Sequence, residues 1–242
     1  MSPINFAGKT DIGMRRSNNE DAFVIRPDLG FMALADGMGG AASGEVASRI
    51  FVDIVSRLFS EADRQSEPAI AQLVKKAFTL ANQEMLEQGR ENTEQHGMGC
   101  TGELLAFYDY SYILGHVGDS RTYLLRSGKL RQLTKDHSLI QDQIDQALIT
   151  AAEARTHPLR SVIMRAIGVN ETLVIDLIRG TSQPGDLFLS CSDGLTDRVM
   201  DQHIQEYLAI PLNLQRKAEK LVDAANEEGG YDNITVVLSE VV

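Results

Sequence analysis

Apolar residues recur along this chain with two periods, and the periods occupy different blocks. Between Ser43 and Ser60, the residues Val46, Ile50, Ile54 and Leu58 fall four apart beside a second row of Ala47, Phe51, Val55 and Phe59, which predicts a helix with one broad apolar face. Ser43 is its expected N-cap, and Glu45 sits where a negative charge favours the helix N-terminus. A second helix is predicted with Pro68 in its first turn. Ile70, Leu73, Val74, Ala77, Phe78, Ala81 and Met85 line one side of it, and Gly89 should stop it. A third, near Leu212 to Glu227, uses Leu214, Ala218, Leu221, Val222 and Ala225 and is ended by Gly229-Gly230.

Elsewhere the runs are short and continuous or alternating, which predicts strands at 4–10, 22–25, 31–35, 103–107, 112–117, 121–126, 129–133, 172–179, 186–191 and 234–239. Ser127-Gly128 reads as a tight hairpin turn. Two long helices followed by a meander of strands favour an α+β layered domain over a parallel βαβ sheet. The stretch 138–162, rich in Gln, Asp, Glu and Thr with scattered Ile and Leu, is expected to make a partly helical excursion over the surface. There is no repeat and no Pro/Gly/Ser linker, so residues 1–242 are expected to form one domain.

Composition narrows the function classes. Of the 242 residues 43% are hydrophobic and 24% charged, as in ordinary globular proteins, and the net charge of -11 argues against nucleic acid or anionic membranes as partners. No run approaches the roughly 18 apolar residues of a membrane span. MSPINFAGKT lacks the features of a secretory signal, so a cytoplasmic location is expected. The two cysteines, Cys100 and Cys191, have no paired metal-type spacing, which argues against a disulfide framework or a zinc ribbon.

The chemistry concentrates at strand ends. FMALADGMGG runs an apolar strand into Asp36-Gly37, DLFLSCSDG repeats this at Asp193-Gly194, and GYDNITVVL puts Asp232 just before a strand. A strand fixed in a core holds a terminal carboxylate with little freedom, and an adjacent glycine permits close backbone approach to a ligand. Converging carboxylates repel by several kcal/mol at about 4 Å and an effective dielectric near 20, so they need a counterion. Oxygen ligands without His or Cys favour Mg²⁺ or Mn²⁺ over zinc. RRSNNEDAF adds Arg15 and Arg16 ahead of Glu20 and Asp21, and HVGDSRTYLLRSGKL adds Asp119. An arginine fork beside such a metal site suits a phosphate. Taken singly, each Asp-Gly is more commonly a turn, and spacing does not establish that Asp36, Asp193 and Asp232 converge.

Taken together and in order, TDIGMRRSNNEDAF, ALADGMGG, HVGDSRTYLLRSGKLRQLTKDHS, ARTHPLRSVIMRAIG, SCSDGLTD and GYDNITVVL resemble the protein phosphatase 2C family, the metal-dependent protein serine/threonine phosphatases, and especially its compact bacterial members. The resemblance implies a four-layer α-β-β-α sandwich of two antiparallel sheets flanked by helices. It implies that Asp36 bridges two Mn²⁺ or Mg²⁺ ions, with the Gly37 carbonyl on one of them. Asp193 and Asp232 would complete the ligands of the other ion, and Glu20 and Asp21 would stand near the second. Asp119 with Asp193 would hold a looser third metal, Arg16 would bind phosphate, and 138–162 would be the flap. Phosphoserine and phosphothreonine in proteins would be hydrolysed by a water or hydroxide bridging the two ions and attacking phosphorus in line, without a phosphoenzyme. The substrates would be phosphorylated by a serine/threonine kinase, and a monomer is expected. Cys191 and Ser192 are therefore not nucleophiles. Met38 and Ala41 stand where some members carry a histidine that protonates the leaving group; His137 is the nearest substitute in sequence, and His157 reads as flap structure. The rival readings are a non-catalytic phosphopeptide-binding scaffold, which should have lost a metal carboxylate, and a phosphatase dedicated to one partner.

Overall fold

The computed structural model describes residues 3–39, 43–62 and 66–242. In chain order the elements are β1 (Ile4–Asp11), β2 (Asp21–Arg26), β3 (Phe31–Met38), α1 (Ser43–Glu61), α2 (Glu67–Glu91), β4 (Gly99–Cys100), β5 (Gly102–Tyr108), β6 (Ser111–Val117), β7 (Arg121–Arg126) and β8 (Lys129–Gln132). They continue with α3 (Leu139–Asp145), α4 (Ala151–Ala154), β9 (Asp176–Thr181), β10 (Leu187–Cys191), α5 (Asp193–Thr196), α6 (Asp201–Ala209), α7 (Leu214–Glu227) and β11 (Ile234–Val241). Five strands make one antiparallel sheet in the order β1-β11-β10-β7-β8. The other antiparallel sheet runs β2-β3-β5-β6-β9, with β4 paired to β3.

The central strands bury one face against the other sheet and one against helices, while the edge strands β8 and β9 keep exposed positions. Met32, Leu34, Leu105, Phe107, Leu114, Phe188 and Val237 fill the space between the sheets. Phe31, Ala33, Leu104 and Ile113 face the other way, onto Phe51, Val55, Val74 and Phe78 of α1 and α2. On the far side, Leu189, Val236 and Leu238 meet Leu208, Leu221 and Val222 of α6 and α7. The result is the expected four-layer α-β-β-α sandwich.

The helix and strand assignments hold with local corrections. Helix α2 begins at the Ser66 cap, whose side chain accepts from Ala69 N–H, and it runs past Gly89 to an Asn92 cap. Gly89 is buried there, and a side chain at 89 would come within 3.2 Å of the Gln95 carbonyl oxygen, so this glycine serves close packing and not termination. Ser43 is the first helical residue of α1 and its hydroxyl donates to the Glu94 carbonyl at 2.8 Å. β9 starts at Asp176, opposite His116, because its partner β6 ends at Val117; Leu173 and Ile175 pack on the helix-side core without pairing. Ser127 and Gly128 both have positive φ and close the β7–β8 hairpin, as expected. The 138–162 stretch is largely exposed and carries α3 and α4.

A polar bridge crosses the otherwise apolar space between the sheets. Glu103 on β5 is bonded through Oε1 to His116 Nδ1 on β6, and its Oε2 accepts from Thr122 Oγ1 on β7 at 2.6 Å. Thr122 Oγ1 lies 2.8 Å from Ser190 Oγ on β10. Burial works against a charged His116, but the Glu103 carboxylate outweighs it and holds the imidazole above its usual value.

Candidate active site

Strands β2 and β3 pair with Asp21 directly opposite Asp36, an arrangement of like charges that destabilises a sheet unless something offsets it. The end of β3 is clamped by Thr101: Asp36 N–H donates to Thr101 Oγ1 at 2.9 Å, and Thr101 N–H donates to the Asp36 carbonyl at 2.8 Å. Thr101 Oγ1 also lies 2.7 Å from Ser120 Oγ, which ties this strand end to the turn carrying Asp119. Gly37 N–H donates to the Glu20 carbonyl at 3.1 Å. A Cβ at position 37 would lie 2.1 Å from the Gly44 carbonyl oxygen and 2.6 Å from that of Glu20, so only glycine fits.

The second pair of carboxylates comes from the other sheet. Asp193 follows β10 at the start of α5, and Asp232 precedes β11. Their turns touch backbone to backbone, because a Cβ at Gly194 would lie 2.0 Å from the Asn233 carbonyl oxygen. Asn233 then joins both sheets: its Oδ1 accepts from Glu20 N–H at 2.8 Å, and its Nδ2 donates to the carbonyls of Ile12 and Asn18 at 3.0 and 2.9 Å. Asp21 Oδ2 accepts from Ser192 Oγ at 2.8 Å and from Thr235 Oγ1 at 2.6 Å.

The carboxylates are joined by charge. Burial, then the charges of Asp21, Asp193, Asp119 and Asp232, push Asp36 well above its ordinary value. Burial, then Asp119, Asp197, Asp232 and Asp21, do the same to Asp193. Asp21 rises to about 6, mainly through burial and against the bonds from Thr235 and Ser192, and Asp119 rises to about 7 through burial and Asp136. Asp21 and Asp119 are buried, whereas Asp36 and Asp193 are half-buried. Arg16 Nη2 sits on Asp232 Oδ2 at 2.7 Å, with both side chains well exposed. Glu20 is buried beneath the start of α1, its Oε1 accepting from Asn18 Nδ2 at 3.3 Å.

This donor set suits a hard divalent cation. All the groups offer oxygen, and Asp21 Oδ1 and Asp119 Oδ1 are buried without a hydrogen-bond partner, an arrangement that costs free energy unless a cation or proton is bound. As the side chains are placed, no three His, Cys, Asp or Glu residues among those described close around one point. A cleft of about 480 Å³ opens on Asp119 and Asp193, between the α3–α4 excursion and α5–α6, with Arg155 and Arg160 on its far wall. It does not reach Asp36, Asp21 or Asp232.

His137 is already engaged. Its Nδ1 accepts from Gly118 N–H at 3.0 Å, its Nε2 faces Arg165 Nη1 at 2.8 Å and Asp176 Oδ2 at 3.3 Å, and its ring lies on that of His116 at 4.5 Å. It supports the turn that carries Asp119. Burial, then the positive charges of His116 and Arg165, lower it to about 4. A folded value below the unfolded one near 6.5 means the unfolded chain binds more protons in that window, so stability is lost as pH falls from 6.5 toward 4. The full loss is about 3 kcal/mol, of which about 2 kcal/mol falls between pH 7 and pH 5. The raised Asp21, Asp36, Asp119 and Asp193 act in the opposite direction over the same range, so the difference in urea midpoint between wild type and His137→Asn, compared at pH 7 and pH 5, isolates the His137 contribution.

Met38, half-buried, pairs with Gly99 at the end of β3, and Ala41 lies outside the described residues. Cys191 is fully buried, and burial raises its thiol. Sequence reasoning missed Thr101, Ser192, Asn233 and Thr235. Ser192 and Asn233 each adjoin a singled-out aspartate, but the motif drew attention only to the carboxylate.

No helix among the described residues is long and apolar enough to cross a membrane. Residues 14–239 match the family model of protein phosphatase 2C. The chain is 40% identical over 239 residues to the serine/threonine protein phosphatase PstP of Mycobacterium tuberculosis, an alignment covering 99% of this chain and 45% of that protein, so the chain spans less than half of that relative. It is 34% identical over 236 residues to the serine/threonine phosphatase stp of Listeria monocytogenes, covering 96% of this chain and 94% of that one. The catalytic domain of PstP, solved in complex with two manganese ions, superposes with a TM-score of 0.90 at 36% identity, over 99% of this chain and 98% of that one. With the fold, the motif order and these likenesses in agreement, the chain belongs to the protein phosphatase 2C family.

Proposed function

We propose that residues 1–242 form one catalytic domain that hydrolyses phosphoserine and phosphothreonine in proteins, with 138–162 as its flap. The observation that supports this most directly is the set of mutually charged carboxylates from both sheets, two of whose buried oxygens lack partners, beside an exposed arginine. Asp36, the Gly37 carbonyl, Asp193 and Asp232 would hold two Mn²⁺ or Mg²⁺ ions, with Asp21 and Glu20 nearby and Asp119 available to a third. Bound there, these ions supply Lewis acidity, which makes hydroxide available near neutral pH and offsets phosphate charge.

The residues of the chain do the rest. Arg16 binds phosphate by exchanging Asp232 Oδ2 for two phosphate oxygens; the pair is exposed at 46% and 36%, and such pairs are worth about 1 kcal/mol or less, so the exchange costs little. Thr101, Asn233, Ser192 and Thr235 hold the carboxylates in place across the seam of the sheets. Cys191 is inert and Ser192 already donates to Asp21, which fits direct hydrolysis without a covalent intermediate. The substrates would be phosphorylated proteins.

Phosphate release from para-nitrophenyl phosphate and from phosphothreonine peptides in Mn²⁺ tests this, and a chelator should return the rate to background. Saturable peptide binding with no release at saturating Mn²⁺ would instead establish a scaffold.

A further inference from the structure

Arg16 and Asp232 each have a neighbour in sequence that takes part in a second arrangement at the same rim. Met14 N–H donates to the Gly230 carbonyl at 2.7 Å, which holds the loop of Arg15 and Arg16 against the loop of Tyr231 and Asp232. The Tyr231 ring is 52% exposed. Arg198, five residues beyond Asp193, places its guanidinium carbon 4.2 Å from the centre of that ring, and Arg15 places its own at 5.5 Å. Both lie within cation–π range, so the aromatic face holds two positive groups in one place.

The neighbouring carboxylates are taken by other arginines. Asp232 carries Arg16 at 2.7 Å, and Asp197 faces Arg160 at 3.5 Å. Among the described residues neither Arg15 nor Arg198 has a carboxylate partner. In a chain with 34 acidic against 23 basic residues, two arginines on one ring without an acidic partner are out of keeping with the overall balance. Their outward charge is complementary to an anion arriving from solvent.

We propose that Tyr231, Arg15 and Arg198 form an anion subsite, which selects phosphopeptides bearing a second anionic group near the residue to be dephosphorylated. This rests on the phosphatase reading above. Arg15 and Tyr231 stand one residue from Arg16 and Asp232, and successive Cα atoms are about 3.8 Å apart, so the second anion belongs within about two residues of the phosphorylated one. A carboxylate and a phosphate share the chemistry this subsite recognises.

The test compares three phosphothreonine peptides of one sequence, carrying two residues away a glutamine, a glutamate or a non-hydrolysable phosphonate analogue of phosphothreonine, with the group placed on either side. For the wild-type chain in Mn²⁺, kcat/KM for an anionic peptide should exceed that of the glutamine peptide about fivefold, the factor of a surface charge pair. That preference should shrink in 0.5 M salt, as about the shorter screening length there requires. Arg198→Ala should bring the ratio close to one; Tyr231→Phe should keep it and Tyr231→Ala should lose it. A preference for the glutamate or the phosphonate identifies the source of the anion. Equal kcat/KM for all peptides in the wild type, or a ratio unmoved by Arg198→Ala, would overturn the subsite. If none of the three peptides is hydrolysed, the phosphatase reading fails, and fluorescence anisotropy with the same peptides decides the subsite by the same ratio of affinities.

Discussion

Asp36→Asn is expected to abolish phosphatase activity and, in chelator, to make the chain more stable. Asn offers one carbonyl oxygen and no charge where the proposed site would need a carboxylate to hold the ions, so the rate should fall about 10³-fold or more, as it does when an electrostatic group is removed at a reacting centre. The stability change has the opposite sign for the same reason. Burial and four neighbouring aspartates raise the Asp36 carboxylate well above its ordinary value. A group whose folded value is raised contributes its stability below the unfolded value and loses it as pH rises through the folded one, so at pH 7 the ionised form opposes folding. Asparagine removes that opposition. The side chain is half-buried and solvent screens part of the repulsion, which brings the expected gain to about 1 kcal/mol, or roughly 2–4 °C in Tm. Calorimetry in chelator at pH 7 and pH 5 measures it, and the gain should narrow at pH 5. A variant that is inactive and also less stable in chelator would mean that Asp36 serves the fold and not an ion.

Gly37→Ala should cost more stability than any exposed substitution. The methyl group would lie 2.1 Å from the Gly44 oxygen, 2.4 Å from the Gly44 carbonyl carbon and 2.6 Å from the Glu20 oxygen. All three are backbone atoms, so no rotamer change relieves the overlap, and α1 or the β2 entry has to move. Overpacking of this kind costs about 1–3 kcal/mol where side chains can yield, and about 3 kcal/mol or more is expected here. The Tm should drop by roughly 6–12 °C, with activity lost even in folded protein because Asp36 is the adjoining residue. A thermal scan of Gly37→Ala beside Gly128→Ala sets crowding against backbone strain, since nothing lies within 4 Å of a Cβ at 128 but its φ of +75° costs an alanine about 1 kcal/mol, and the loss at 37 should be the larger.

What could be read from the sequence depended on how local its cause is. The three long helices and most strands were legible because each carries its own period, and the turn at Ser127-Gly128 because its dihedrals need those residues. β4 has only Gly99 and Cys100, too few for any period, and α6 buries only Ile204 and Leu208. The strand start at 172 went wrong because pairing ends where β6 ends, a fact about a partner 60 residues away. The aspartates could be named from strand ends and from the resemblance, but the opposition of Asp21 and Asp36 and the donors Ser192 and Thr235 arise from long-range register. Glu103 and His116 looked like ordinary positions in alternating strands; only the docking of one sheet on the other makes them a bridge.

The order of strands also sets a timetable. β11 follows every other element along the chain yet lies between β1 and β10, so until it inserts, β1 has no partner and the five-stranded sheet stays split. Asp232 and Asn233 arrive with it, and Asn233 is the residue that reaches across to Glu20. A nascent or truncated chain that stops short of Ile234 would contain Asp36, Asp193 and Arg16 and still be catalytically silent. Dephosphorylation would begin only after synthesis has passed that strand, with no partly built intermediate acting on phosphoproteins beforehand.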